Sequence, residues 1–270
     1  MTARARDGRA GFALLIVLWA LGLLSLITTE LTASARVQAR VAAAARDSAA
    51  AQAAADGAAL EAVFRLLDQQ WAADGTTHAT RIGRFPAAVR ITSEDGKVNP
   101  NFVTVALLRA LLRNAGAAPG TAEAVARAIQ DWRASGSALR GSGKAEAYAA
   151  AGRDYGPSGE PFRSLDELGA VLGMTPDLLA RVKPLLSIYK EGTVDRALAG
   201  VVGAQAVTDA QLGQQGPTLS IRTSNVVAMV TAEVARPGVR ATRQTVVRVK
   251  TQIDAEDKPF EVLTWESEAE

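Results

Sequence analysis

Residues 11–29 read GFALLIVLWALGLLSLITT, an uncharged run preceded by Arg4, Arg6 and Arg9 and closed by Glu30. A helix rises about 1.5 Å per residue, so the run is long enough to cross the roughly 30 Å hydrocarbon core of a bilayer. A secretory signal is one account of it: a basic start, an apolar stretch, then a small-residue cleavage site such as Ala33-Ser34-Ala35. The run is long for that role, and it merges into more helix. A permanent anchor is a second account, with the arginines cytoplasmic by the positive-inside bias. A third hinges on the Gly11-Phe12 junction, where a charged leader gives way at once to the apolar helix.

Composition bounds the rest. The 270 residues fit one or two domains plus an appendage, and 48% of them are apolar, enough for a core. A formal charge of +2 does not suggest a polyelectrolyte partner. With no cysteine there is no disulfide or thiolate chemistry, and with His78 alone a multi-histidine metal site is excluded within one chain.

Residues 30–71 continue as helix, rich in alanine and without proline. Leu60, Phe64, Leu67 and Trp71 share one face and are expected to pack on the protein's own domain. The shallow alanine side of residues 30–56 suits helix–helix packing better than burial under a sheet. The helix is expected to stop at Asp74-Gly75-Thr76-Thr77, with His78 exposed just beyond. Short β-prone pieces follow around Ile82 and Val89–Ile91, and Pro86 argues for an edge or a break.

Residues 97–189 change to helices joined by Gly/Pro loops. Asn99-Pro100 and Thr121 read as helix starts, Gly116 as a stop, and Thr175-Pro176 as a further start. Ser164 and Glu167 have capping-box spacing. Residues 191–217 are weakly patterned, with a short helix or a connection near Val201–Val207. Strands are then expected at TLSIRT, VVAMVTAEV, VRATRQTVVRVKT and PFEVLTWE, with Arg240, Arg248 and Lys250 of the third on a solvated face and a break in its alternation near Arg243 and Val246.

Two pairs of helices resemble a helix-hairpin-helix, whose turn can hold a DNA phosphate. The first turn, Ala117-Ala118-Pro119-Gly120, has no basic residue, and the second carries Asp177. The GSGK at 141–144 fails as a phosphate loop, since Ala138 and Ala145 occupy positions that need Gly and Ser or Thr. No set of residues reads as an active site. Glu94/Asp95 and Asp166/Glu167 sit where a turn or a helix cap accounts for them.

The Gly11-Phe12 junction resembles the leader of type IV pilins and type II secretion pseudopilins. The order GKVNPN, LLRxxG, AIQDW, Lys144–Tyr148, PFRSLDELGAVLGM and LLARVKPLLSIY resembles the helical domain of the type II secretion minor pseudopilin K family. The resemblance implies an α+β, pilin-like fold: a long N-terminal transmembrane and spine helix on an antiparallel sheet, with a large inserted all-helical domain. It implies a leader at 1–11, a transmembrane segment at 12–29, and the spine with the first part of the pilin-like domain at 30–98. The helical insertion would span 99–190 and the C-terminal β part 191–270. Processing would fall at Gly11 and Phe12, with methylation of the new end by a prepilin peptidase. Membrane residence and assembly would fall to Phe12, Leu14, Leu15, Ile16, Leu18, Trp19, Leu23 and Leu26. Ile16 departs from the glutamate most pilins carry there; the K subunit of the family also lacks it, which fits a subunit at the end of a filament.

Implied partners are the I- and J-type minor pseudopilins, the major pseudopilin and the inner membrane, with the bulk of the chain periplasmic and no nucleic acid. The function implied is non-enzymatic: a subunit at the pseudopilus tip, needed to initiate it and to export proteins across the outer membrane. The other class of reading is a membrane-anchored helix-hairpin-helix DNA-binding protein. No cofactor is expected, apart from the calcium some family members bind. Asp131, Asp154 and Glu160 are the oxygen donors left for it here, although Arg133, Ala134 and Ser135 stand where the family has further acids.

Overall fold

The structure is a computed structural model that describes residues 9–134, 144–190, 194–195, 198–212, 225–250 and 258–268. The expected strand TLSIRT and most of the Gly/Ser loop at 135–144 lie outside the described residues, as do the leader up to Gly8 and most of the loop at 254–258.

One helix dominates. Helix α1 runs unbroken for 59 residues, Arg9–Leu67, about 90 Å. It ends sooner than the sequence suggests. Gln69 adopts φ 56°, and the N–H groups of Gln70 and Trp71 turn back to the Arg65 carbonyl at 2.9 and 3.2 Å. Asp74–Thr77, expected as the helix stop, is instead the start of a strand, with Asp74 Oδ1 accepting the Thr76 N–H at 2.8 Å.

Five strands form one antiparallel sheet in sequential order: β1 (Asp74–Ile82), β2 (Phe85–Ser93), β3 (Asn225–Arg236), β4 (Val239–Lys250) and β5 (Phe260–Glu268). Pro86 lies in β2, an interior strand, against expectation. It sits opposite Arg81, just before the β2–β3 ladder opens at Ala87↔Val234, so its missing N–H takes nothing from that ladder. His78 is not free either: it lies in β1 and stacks on Trp71, ring centroids 4.4 Å apart.

The helix meets the sheet through alanine. Ala51, Ala54, Ala55, Ala58, Ala59, Ala62 and Val63 are buried against Val89 and Ile91 of β2, Val230 and Val234 of β3, and Val247 of β4. This reverses the sequence reading. Leu67 and Trp71 do pack at the edge of that core, but Leu60 and Phe64 point outward, Phe64 at 59% exposed. The reason is steric. A side chain no larger than a methyl lets the helix axis come close to a sheet whose own Val and Ile fill the space between. Arg243 of β4, where the alternation of the sequence breaks, is only 12% exposed and pairs with Asp56 of α1.

Between β2 and β3 the chain builds a second, helical core: α2 (Val105–Asn114), α3 (Pro119–Trp132), α4 (Lys144–Ala150), a 3-10 turn (Leu165–Ala170), α5 (Pro176–Val182) and α6 (Val201–Leu212). Two start signals move. Asn99 makes a local turn by accepting the Asn101 N–H, and the cap of α2 is Thr104. Helix α3 starts two residues ahead of Thr121, because Pro119 at its first position has the right fixed φ and no N–H to satisfy. Gly116 ends α2 as expected, at φ 92°, with Ala117 and Gly116 donating back to Leu112 and Arg113. Ser164 caps a 3-10 turn rather than an α-helix, and Glu167 reaches the Arg163 N–H. Leu108, Leu111, Leu112, Val125, Ile129 and Leu168 fill this core, closed at one end by Trp132 stacked on Phe162.

Candidate assembly surface

Among the described residues the exposed large apolar side chains concentrate in the first third of α1. Phe12, Leu14, Leu15, Ile16, Leu18, Trp19, Leu23 and Leu26 are each 45–69% exposed, and α1 is long and apolar enough to cross a membrane. Higher up, Val37 and Val41 are exposed about four helical turns below Ala51 and Ala55, on the face that the sheet covers from Ala51 onward. Leu60 and Phe64 add an outward pair above them. Each such side chain, once covered by lipid or by another helix, contributes about 1.5–3 kcal/mol. The sequence singled out the first group; Leu60 and Phe64 it placed in the core.

A second feature joins the helical region to the sheet. The chain leaves β2 at Ser93, and the turn Glu94-Asp95-Gly96-Lys97 is buried rather than solvated. Glu94 is 1% exposed and its Oε1 accepts from Lys97 Nζ at 2.5 Å. Lys190 Nζ, buried itself, donates to the Asp95 carbonyl at 2.7 Å and faces Asp95 Oδ1 at 3.2 Å. Asn99 Nδ2 donates to the carbonyls of Lys190 and Ile188, and Val98 bridges to Leu186. Gly96 lies so close to the backbone of Leu198 and Ala199 that a Cβ there would stand 2.3 Å from Leu198 C. Tyr189 reaches Thr264 of β5, and burial pushes its phenol up. The helical region is therefore held to the sheet by buried ion pairs and backbone bonds. Paired carboxylates in a turn gave no sign of this, because their cations stand at Lys97 and at the distant Lys190.

The remaining candidates are not brought together. Asp131 is half-buried on α3, Asp154 is exposed, and Glu160 is exposed and paired with Arg163 at 2.9 Å. Among the described residues no three His, Cys, Asp or Glu side chains form a group that could hold a metal ion, and these three are not gathered into one. A cleft of about 290 Å³ opens between the 3-10 turn and the far face of the sheet, lined by Leu165, Pro184, Leu186, Tyr189 and Met229. The lysines at its rim, Lys97 and Lys183, are already paired with Glu94 and Asp166. The first hairpin turn opens α3 with Ala118 and Pro119, and the second opens α5 with Asp177 in its first turn, so neither offers a cation to a phosphate. His78 is stacked on an indole, and among the described residues none is bonded to its Nε2, so no nucleophile–base pair is formed there.

Residues 87–191 match the family model described as type II secretion system (T2SS), protein K. A comparison with curated proteins returned no match. Among solved structures, a chain of the GspK–GspI–GspJ complex from the type 2 secretion system of enterotoxigenic Escherichia coli is similar in fold. The TM-score is 0.59 at 15% identity, over 87% of this chain and 99% of that one.

Proposed function

We propose that this chain, which carries the domain of type II secretion protein K over residues 87–191, works as the K-type minor pseudopilin at the tip of a pseudopilus. The observation that carries the proposal is the form of α1: one unbroken helix whose N-terminal third is apolar all round and uncovered, while its C-terminal part is the spine of a folded layer. Such a helix has two uses. Before assembly its lower part resides in the inner membrane, with the sheet and the helical region in the periplasm. After assembly the same side chains pack against the helices of neighbouring subunits.

Cleavage after Gly11 would leave Phe12 as the first residue and Ile16 as the fifth. Ile16 has no carboxylate to offer the free amine of a neighbour, so it suits a subunit that starts a filament rather than repeats within one. The related complex, named for its K, I and J components, supports I- and J-type partners for this chain. The bulk of the buried-ion-paired helical region favours a place at the end of a filament, where export across the outer membrane would be served.

The test is mass spectrometry of the N-terminus, in cells with and without prepilin peptidase, joined to a secretion assay in cells lacking the gene. An N-methylated Phe12 end and restored secretion support the proposal. An intact leader, or an end near Arg36, sinks it.

A further inference from the structure

The cleft on the far face of the sheet is free of α1. Met229 alternates with Ala228 and Val230, which lie under α1, so it faces the opposite way. Gln244 Nε2 donates to its Sδ at 3.5 Å and holds the thioether in place. Leu165, Pro184 and Leu186 supply the facing apolar wall from the helical region. Tyr189 stands between the two walls, its hydroxyl engaged by Thr264. At about 290 Å³ the cleft falls just below the usual range of small-molecule sites, and one large side chain would fill most of it.

Its polar end is Glu94. This residue is 1% exposed, and Lys97 Nζ donates to Oε1 at 2.5 Å. Among the described residues nothing bonds Oε2. The side-chain polar atoms there that are both sealed from solvent and unpartnered are His78 Nε2 and Trp132 Nε1. Glu94 Oε2 is unpartnered without being sealed, and what it opens onto is the cleft. A carboxylate oxygen so far out of water gains most from a donor that arrives with the ligand.

The charges narrow the ligand. An anion would face Glu94. A cation would share a carboxylate that Lys97 already neutralises, with Lys183 at the rim, and would carry its charge out of water. An aliphatic side chain would cover Oε2 and bring it no donor. A neutral apolar body with one N–H at its edge meets every demand. That is an indole, which donates and does not accept. Its ring also suits the Met229 thioether, since sulfur packs favourably on aromatics. The chain's own four tryptophans stand elsewhere: Trp19 on the anchor, Trp71 on His78, Trp132 in the helical core and Trp265 under Arg243.

We propose that this cleft docks one tryptophan side chain of a partner polypeptide, its indole N–H donating to Glu94 Oε2 and its ring held between the Met229 and Pro184 walls. The partner meets the sheet from the side opposite α1, so this contact is separate from any packing of helices on α1. It rests on the fold and not on the pseudopilin assignment.

The test uses the full chain in detergent, with isotope-labelled methionine methyls read by NMR. Of the three methionines, Met229 lines the cleft and Met174, buried in the helical core, is the control. The probes are N-acetyl-tryptophanamide and N-acetyl-benzothienylalaninamide, which has sulfur in place of the N–H and nearly the same shape. The expected result is a ring-current shift at Met229 and none at Met174, with a Kd on the order of 1 mM for the tryptophan probe and about tenfold weaker for the other. Ala180→Phe, at an exposed position on the rim, should fill the cleft and abolish both shifts with the melting temperature unchanged. In Glu94→Met the two probes should bind alike; a preference that persists there overturns the role of Glu94. Equal binding of the two probes to the unaltered chain, or a shift that survives Ala180→Phe, overturns the docking site. So does tighter binding of N-acetyl-argininamide or N-acetyl-leucinamide than of the tryptophan probe. Free indole binding more tightly than the amide would mark a small-molecule site and overturn docking of a polypeptide. None of these readings touches the N-terminus, so the pseudopilin assignment stands or falls apart from them.

Discussion

The most exposed claim about this fold is that α1 is held to the sheet by its alanines and not by its large apolar residues. Ala58→Leu tests it. Ala58 has no exposed surface and lies in the middle of the contact with β2–β4. Leucine adds three carbons where the facing Val and Ile already fill the gap, so either the helix lifts or its neighbours leave their rotamers. Overpacking of this kind costs about 3 kcal/mol at the upper end of its usual range. For a folded part of this size each kcal/mol moves the midpoint by about 2–4 °C, so a fall of about 6–12 °C is expected. The control is Phe64→Ala, which removes a far larger side chain from a position 59% exposed and replaces it with the best helix former. Its cost should stay within about 1 kcal/mol. Thermal unfolding of the full chain in detergent, followed by circular dichroism, reads both. A Phe64→Ala loss as large as that of Ala58→Leu would mean that the large residues form the core after all. An unchanged midpoint for Ala58→Leu would mean that the helix is not seated where the structure puts it.

Other outcomes are expected at the joint and in the helical region. Gly96→Ala puts a methyl onto the Leu198–Ala199 backbone and should lower stability by about 1–3 kcal/mol, measured by denaturant unfolding. Lys190→Ala leaves Asp95 buried without its cation and should cost about 3–5 kcal/mol, partly restored when Asp95→Asn is added. The bond from Arg109 holds the Glu123 carboxyl below its ordinary value of 4.5. A carboxyl lowered by folding contributes its stability above the unfolded value and loses it as pH falls through the folded one. Glu123→Gln should therefore lower the melting temperature at pH 7 and make no difference well below pH 4. Saturating calcium, or its removal by a chelator, should leave the melting temperature unchanged; a rise of several degrees with calcium would show that Asp131, Asp154 and Glu160 are drawn together by the ion.

Local chemistry carried most of the fold into the sequence. The uncharged run and the alanine-rich stretch after it made a long helix plain. Thr175-Pro176 and Gly116 marked true boundaries because each acts on its own backbone. What failed were inferences that depend on a distant partner. Leu60 and Phe64 keep helical spacing with Leu67 and Trp71, yet α1 turns its smaller face to the sheet, and no periodicity tells which of two apolar faces a sheet selects. Arg243 reads only as a break in the alternation of β4 until Asp56, on another element, is found opposite it. Pro86 argued against an interior strand because the sequence does not show where the β2–β3 ladder begins. The exposure of Phe12, Leu14, Leu15 and Trp19 on α1 follows from an uncharged run whose reading needs no distant partner.

The route of the chain through the sheet has a mechanical side. The helical region leaves from the end of β2 and returns into β3, adjacent strands whose shared end carries Ser93↔Ala228 and the bond from Glu94 N–H to the Val227 carbonyl. A load on that region therefore enters the sheet at one end of two neighbouring strands, not at its margins. From there it is shared as shear across the ladder from Ser93↔Ala228 to Ala87↔Val234, and passed into α1 through the tightly seated alanines. The buried pairs of Glu94, Asp95, Lys97 and Lys190 stand where such a load would cross from the helical region into the sheet.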